Sequence, residues 1–463
     1  VIRFREPSQK IQRVQRVQRV LMTDSDIVRQ ILPSGLTIVN GQPPPEQVDL
    51  EDNFVLPAHT QKPLQQLHPH ALDDHLNFFE EPHVYTVQGC PCTTSVTSLA
   101  HEFEKPFVPD GAINLMKMSK TQVWPRSEYV IDLLPLNAGS FVCSRGALLV
   151  SNGRTISVLQ PHSVSKECDP FDFLRTFKLP KSEISDDAEF FSFERAMTDE
   201  EIKEMWKRKG RLACNKGTEG HYQSELFMNG LPFRSCPETD ILAQFAKTYM
   251  IPRNIIAWNT EKEIVCKDAD VAGSVDFIMY QPSLDLHHIV DYKRSDKLLK
   301  DLRGYGKMED PFKHLDDCKG ASYALQLSIY QWIMERDYNM KFGDRILVSL
   351  HPDHPFSTSV PYLKAEVEYI MTRRMNLVTA RRRVAAEDKS LCCALTNAPL
   401  VDAVVLQTGE RVMEKMAIVK NLPFVVDTNT RKVFEEKVQA VLEVTSLPEK
   451  VSCISWRKRM PES

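Results

Sequence analysis

The sequence predicts an α/β protein whose mixed central sheet is flanked by helices, and three stretches carry that prediction. The first is MTDEEIKEMWKRKGRLACNKGTEGHYQSELFMNG, from Met197, with Ile202, Met205 and Trp206 at helical spacing behind a Thr198–Glu201 capping box. The second comprises EKEIVCKDADVAGSVDFIMY and HHIVDYKRS, short β-branched runs bounded by turn residues, which read as three strands in sequence. The third is GASYALQLSIYQWIMERDY, a long helix, followed by the strand RILVSLH. Helix, three strands, helix, strand places the main domain at residues 196–385.

The flanks have a different texture. Residues 1–80 contain the triplet repeat IQRVQRVQRV and the proline-containing GQPPPEQ, and read as a poorly ordered, flexible region. At 81–130, HVYTVQG alternates like a strand and TSVTSLAHEFEKPF reads as a capped short helix. Residues 131–195 have strand-like pieces without a motif and read as an insertion, since the pattern runs on naturally from WPRSEY to MTDEEI. Residues 386–463 are a C-terminal extension with one helical stretch, TRKVFEEKVQAVLEV.

Composition narrows the function classes. With 42% hydrophobic and 26% charged residues the chain is ordinary for a globular protein. A net charge of −4 gives no global basic field, so a nucleic-acid partner would need a local patch. No apolar run reaches the ~18 residues of a membrane helix, so no membrane partner is expected. VIRFREPSQK lacks the apolar core of a secretory signal, and 11 scattered cysteines suit reduced thiols. An intracellular, non-secreted protein is expected, with nucleus, mitochondrion and cytoplasm all open.

The chemistry gathers at strand ends. Asp276 closes one apolar run, and Asp291 and Lys293, two apart and so on one face, close the next. Carboxylates held ~4 Å apart repel by about 4 kcal/mol at an effective dielectric of 20, so either one stays protonated or a cation sits between them. Oxygen ligands of this kind suit Mg²⁺ or Mn²⁺, and a lysine beside them can steady a hydroxide or the charge on phosphorus. This is a layout for metal-assisted phosphodiester hydrolysis, although D-x-K alone also fits a solvated hairpin. His221 and Glu225 are i, i+4 on one helix face, as are Gln326 and Tyr330. H-x-x-x-E is also a zinc pair, but no third nitrogen or sulfur ligand lies at suitable spacing. Glu225 and Glu263 are weaker candidates, and His287 and His288 read as structural.

The joint order H-x-x-x-E, G-S-V-D, D-Y-K-R-S, Q-x-x-x-Y resembles the RecB-like branch of the PD-(D/E)XK nuclease superfamily. It is similar to mitochondrial genome maintenance exonucleases and to nucleases of phages and large DNA viruses, over about residues 198–383. The resemblance implies a restriction-endonuclease-like core and a divalent-metal-dependent deoxyribonuclease of DNA repair or recombination, more an exonuclease on ends or single strands than a site-specific cutter. It implies His221, Asp276, Asp291 and the Tyr292 backbone carbonyl as metal ligands, and Asp276, Asp291, Lys293, Gln326 and Tyr330 as catalytic residues. An endonuclease of the same fold and a catalytically inactive nucleic-acid-binding relative are the alternatives. Some relatives carry an iron–sulfur cluster, but adjacent Cys392 and Cys393 with a distant Cys453 do not match the late cysteine trio, so no cluster is expected.

DNA is the expected partner, held through its backbone. Arg294 and Ser295 follow the lysine, and TRRMNLVTARRRV places Arg373, Arg374, Arg381, Arg382 and Arg383 on one helix, as a phosphate track or a solvated face. No helix-turn-helix or zinc finger suggests sequence reading.

Overall fold

In the computed structural model, the residues described are 22–36, 38–39, 50, 63–79, 84–88, 90–132, 140–142, 147–151, 156–161, 181–185, 188–191, 194–304, 306–393, 399, 403–406, 412–414, 424–426, 428–442 and 456–460. They divide into two compact units, residues 1–105 with 215–463, and residues 106–214. The triplet repeat lies outside the described residues, but Asp24–Ile31 is a capped helix that packs Ile27, Val28 and Ile31 into the core, so this part of 1–80 is not the flexible region expected, since its helical spacing gathers the apolar side chains on one buried face.

The 106–214 unit is broader than the 131–195 excursion expected from sequence, but its strand pairing shows why that stretch reads as inserted. Val130–Asp132 pairs antiparallel with Glu194–Ala196, which brings the two ends of the excursion together. Between them lie the five strands of an antiparallel sheet, ordered in space as Ser140–Val142, Ala147–Ser151, Ile156–Pro161, Ala188–Phe191 and Lys181–Ser185. Ile113, Tyr129 and Ile202 form a small core, and Trp206 Nε1 donates to Tyr129 Oη at 3.2 Å.

The larger unit is built on the expected mixed sheet. Its elements in chain order are β1 (Thr94–Ser95), α1 (Val96–His101), α2 (Asp199–Met228, whose residues from Asn215 belong here), α3 (Pro237–Phe245), β2 (Ile256–Cys266), β3 (Val271–Gln281), β4 (Leu286–Lys293), α4 (Lys319–Asp337), β5 (Phe342–Ser349), β6 (Phe356–Val360), α5 (Lys364–Glu387) and α6 (Thr428–Leu442). The capping box forms as read, Thr198 N donating to Glu201 at 2.8 Å and Glu201 N to Thr198 Oγ1 at 3.2 Å. Ser95 caps α1 by accepting from Ser98 N at 3.1 Å.

The sheet runs β2-β3-β4-β5-β6, with β1 also paired to β3. The β4–β5 and β1–β3 pairs are parallel and the others antiparallel. One core joins β3, β4 and β5 to α3 and the end of α2 through Phe227, Leu242, Phe277, Val290 and Ile346. The other joins the sheet to α1, α4 and α5 through Val96, Ile278, Ile289, Leu325, Ile329, Leu347 and Ile370. Helix α4 is buried on almost every side, which explains its near-continuous apolar sequence. The C-terminal helix Trp456–Arg459 also belongs to this core. Trp456 is fully buried, with its indole N–H donating to Leu302 O at 3.0 Å, and Arg459 lies 2.7 Å from buried Glu366. Among the described residues no helix is long and apolar enough to cross a membrane.

The sheet opens along one edge of β3. That edge pairs with β1 at Val271 and Ala272, and with β4 only from Phe277 onward. Gly273–Asp276 therefore lie between the two pairings, and α4 comes close to fill the space. A Cβ on Gly273 would stand 2.9 Å from the Tyr330 ring and 3.1 Å from Val96. Replacing Gly273 by alanine is expected to destabilise the fold by about 1–3 kcal/mol through overpacking. Chemical denaturation of the variant, with unchanged slope and a lowered midpoint, would show it, and an unshifted midpoint would contradict it.

Candidate functional site

The open edge is where three acids line up. The β3–β4 ladder ends at Phe277–Val290, so the next step sets Asp276 opposite Asp291. On the other side, the rungs Thr260–Phe277 and Lys262–Val275 set Glu261 opposite Asp276. Glu261, Asp276 and Asp291 thus form one row across three adjacent strands spaced ~4.8 Å apart.

Glu261 makes the row by leaving regular strand geometry. Its φ is +43°, in the left-handed region, which costs a non-glycine residue ~1–3 kcal/mol unless its surroundings enforce it. They do. Gln65 Nε2 donates to the carbonyls of Thr260 and Glu261 at 2.9 and 2.7 Å. Asn229, at the end of α2, donates to Thr260 Oγ1 at 2.7 Å, and Ser274 Oγ donates to Glu261 Oε2 at 3.0 Å.

His221 projects from α2 onto the row. Its Nε2 lies 3.0 Å from the Tyr292 carbonyl, which can only accept, so the proton sits on Nε2. In the neutral ring Nδ1 is then an acceptor, and it faces Asp276 Oδ2 at 3.6 Å and Glu261 Oε1 at 3.9 Å. One donor atom from each of His221, Glu261 and Asp276 lies within 4.8 Å of the others. Metal–oxygen bonds of ~2.0–2.2 Å put ligand atoms about 3–4.3 Å apart, so the donors are spaced to share one hard cation after small adjustment. Burial and the neighbouring Asp276 charge push the Glu261 carboxyl up to about 7, with His221 opposing. Asp276 is tied to the strand beside it, its Oδ2 accepting from Tyr292 N–H at 2.7 Å.

Asp291 and Lys293 form the second half of the site. Lys293 Nζ lies 2.7 Å from Asp291 Oδ2, while Asp291 Oδ1 is buried and accepts no hydrogen bond among the described residues. Burial pushes the Asp291 carboxyl up to about 6, because Lys293 restores only part of what desolvation removes. Burial works against the Lys293 ammonium too, but Asp291 and Asp276 more than offset it and hold the amine charged. The ring of Tyr323 lies 4.9 Å from Nζ. Gln326 Nε2 donates to Tyr330 Oη at 3.2 Å, and that phenol, raised chiefly by burial, also feels Asp276 and Asp291.

The expected residues therefore converge, with their partners rearranged. Asp276 and Asp291 were expected to share one ion. Asp276 groups with His221 and Glu261, and Asp291 pairs with Lys293, because both side chains point the same way two residues apart on β4. The Tyr292 carbonyl, an expected ligand, lies 3.0 Å from His221 Nε2. Glu225 is buried one turn beyond His221 and its charge reaches Glu261, while Glu263 stands outside the three-donor group. His288 is buried, accepting from Asp344 N at 3.1 Å, and His287 packs against Trp258 and Tyr280.

The expected phosphate track is largely engaged with protein. Arg294 Nε lies 2.8 Å from Glu238, and Ser295 Oγ accepts from Lys297 N at 3.2 Å. Arg373 pairs with Glu102 at 2.6 Å, and Arg382 donates to Lys267 O at 2.9 Å. Arg374 is a buried clamp rather than a solvent-facing charge. It donates to Ala269 O at 2.9 Å and to Thr93, and lies 3.6 Å from Asp270. Of the cysteines weighed for a cluster, Cys393 is buried, Cys392 Sγ contacts Ala385 O at 3.4 Å, and Cys453 lies outside the described residues.

Two residues escaped the sequence reading. Glu261 has no motif around it, and only the register counted back from Asp276 marks it. Tyr323, three residues before Gln326 on α4, carried a usable signal, the i, i+3 spacing of one helix face.

Both raised carboxyls hold a proton more tightly in the folded chain than an unfolded carboxyl of pKa ~4 does. Between about pH 4 and about 7 the folded state therefore binds more protons, and these groups make stability fall as pH rises through that window. Melting temperature measured in EDTA is expected to fall between about pH 4 and about 7, and Glu261→Gln, with no charge to bury, to flatten the fall. A variant falling as steeply as the parent would contradict the assignment. Comparison with protein-family models, curated proteins and solved structures returns no match for this chain, so what the site can do follows from its own geometry.

Proposed function

We propose that this chain is a divalent-metal-dependent nuclease with a restriction-endonuclease-like core, hydrolysing DNA phosphodiester bonds on ends or single strands. The observation that carries the reading is a half-buried lysine, paired with one acid of the strand row, beside a histidine and two further acids grouped for one cation. His221, Glu261 and Asp276 would hold Mg²⁺ or Mn²⁺. One imidazole with two carboxylates suits Mn²⁺ at least as well as Mg²⁺. The bound ion would lower the pKa of a water and neutralise charge on the phosphoryl oxygens.

The protein's own groups do the rest. Asp276 is fixed by Tyr292 N–H, so its carboxylate keeps its direction, and the Tyr292 carbonyl fixes the tautomer of His221. Lys293 presents a charged donor where negative charge gathers on a phosphodiester, with Asp291 and the Tyr323 ring holding the ammonium in place. Gln326 orients the Tyr330 phenol, which feels the charges of Asp276 and Asp291.

The test is digestion of labelled single-stranded, linear double-stranded and covalently closed circular DNA, with Mn²⁺, Mg²⁺ or EDTA. Activity is expected with either metal, lost in EDTA, and absent on closed circles. Lys293→Ala and Glu261→Gln are each expected to lower the rate on the order of a hundredfold or more. Cutting of closed circles would indicate an endonuclease. Metal-independent activity, or a Lys293→Ala rate equal to the parent, would falsify the mechanism, and strand binding with no cleavage would leave an inactive binding relative.

A further inference from the structure

Strands β4 and β5 run parallel, so both end on one edge of the sheet, and the carboxyl ends of parallel strands are where α/β sheets take ligands. At that edge β4 presents Asp291 and Lys293, and β5 runs into Leu350, His351, Pro352, Asp353 and His354. Lys293 is in register with Ser349, and Leu350 N donates to the Lys293 carbonyl at 2.9 Å, so the pairing continues past the end of β5. Val290, Tyr292, Val348 and Leu350 pack into the core that holds α3. Alternation then turns Asp291 and Lys293 on β4, and Ser349 and His351 at the end of β5, to the opposite face, where Tyr323 of α4 meets Lys293. One strand across at ~4.8 Å and two residues along at ~3.3 Å each put the His351 backbone about 8 Å from that of Lys293.

The His351 ring is aimed by its own loop. Asp353 N donates to Nδ1 at 3.3 Å, so Nδ1 is an acceptor and the proton of the neutral ring sits on Nε2. Asp353 Oδ2 stands 3.9 Å from the same nitrogen, too far for a hydrogen bond, and is mostly in solvent. The His354 ring stacks against His351 at 5.7 Å and 24°, and His354 N donates to the His351 carbonyl at 3.0 Å. Nε2–H is thus a preset donor on a side chain only 17% exposed, and no described residue accepts from it. Beside it the Ser349 hydroxyl is fully buried without a hydrogen-bond partner among the described residues. A strand end serving only packing would carry apolar side chains at these two positions, since an unpaired buried polar group costs stability.

We propose that His351 is a further substrate contact, its Nε2–H donating to a non-bridging oxygen of the phosphate adjoining the one that Lys293 meets. This assignment rests on the proposed nuclease function. It needs no spare positive charge. Lys293 is paired with Asp291 and Arg294 with Glu238, so a neutral donor fixed in place is what this edge has left for a second phosphate. An N–H suits an anionic oxygen, because a hydrogen bond with one charged partner is roughly twice as strong as a neutral one. Backbone phosphates are alike at every base, so the contact adds hold on the strand without sequence preference.

The test separates the two ring nitrogens in the full chain. His351→Gln keeps a donor near the Nε2 position and loses the Nδ1 acceptor, whereas His351→Asn keeps an oxygen near Nδ1 and loses the Nε2 donor. In digestion of a labelled single strand with Mn²⁺, His351→Asn is expected to raise KM about tenfold with kcat unchanged, the mark of binding shared by ground and transition states. His351→Gln is expected to stay within about threefold of the parent. A single methylphosphonate at the adjoining phosphate removes its charge, and is expected to bring the parent down to the His351→Asn variant while leaving that variant little changed. The reverse order, with His351→Asn near the parent and His351→Gln impaired, would make His351 a brace of its loop and overturn the proposal. So would equal KM in all three chains, or a change in kcat with KM unmoved. Calorimetric binding of a five-nucleotide strand, with Ca²⁺ in place of Mn²⁺, keeps the two readings apart. Binding about tenfold weaker in His351→Asn, in a chain that never cuts, would refute the nuclease reading and uphold the contact. Absent or equal binding would overturn the contact even in a chain that cuts.

Discussion

Three carboxylates on neighbouring strands repel one another, and the larger unit is organised around containing that repulsion. Two unit charges ~4 Å apart cost about 4 kcal/mol at an effective dielectric of 20, a sizeable share of the ~5–15 kcal/mol that holds a domain folded. The chain answers in three ways. Lys293 neutralises Asp291 at 2.7 Å, the Tyr292 N–H stabilises Asp276 at 2.7 Å, and Glu261 takes up a proton more readily than an ordinary glutamate. A protein with no use for concentrated negative charge would have a cheaper solution in three neutral residues.

The containment extends outward through the fold. The left-handed backbone at Glu261 is pinned by Gln65 and by Asn229, so a segment far back in the chain and the end of α2 both support a kink in β2. On the other face α4 brings Tyr323, Gln326 and Tyr330 to the row, and Gly273 lets the Tyr330 ring approach β3. Burial of these groups is what makes the charges felt, since the same side chains in water would be screened to near insignificance.

The arginines of α5 show how a charge pattern divides once folded. Arg374 turned inward and became a buried clamp, whereas its neighbour Arg373 pairs with Glu102 nearer the surface. A helix that packs one side on a sheet must bury whatever lies on that side, and Arg374 is satisfied there by carbonyls, a hydroxyl and Asp270.

Much of the fold is legible in the sequence. Hydrophobic periodicity and turn residues determined the helix, three-strand, helix, strand order, and the capping box at Thr198 formed as read. Local spacing set Asp291 beside Lys293 and Gln326 beside Tyr330, because residues two apart on a strand or four apart on a helix share a face, whereas only the resemblance carried by the motif order placed both pairs with Asp276. Which acid would partner which was decided only by tertiary structure. Pairing depends on cross-strand register and on a single left-handed residue, both set by contacts between segments up to 196 positions apart, such as Gln65 on Glu261. Such distant contacts leave no trace in local pattern, so Glu261 stayed hidden while its neighbours could be named.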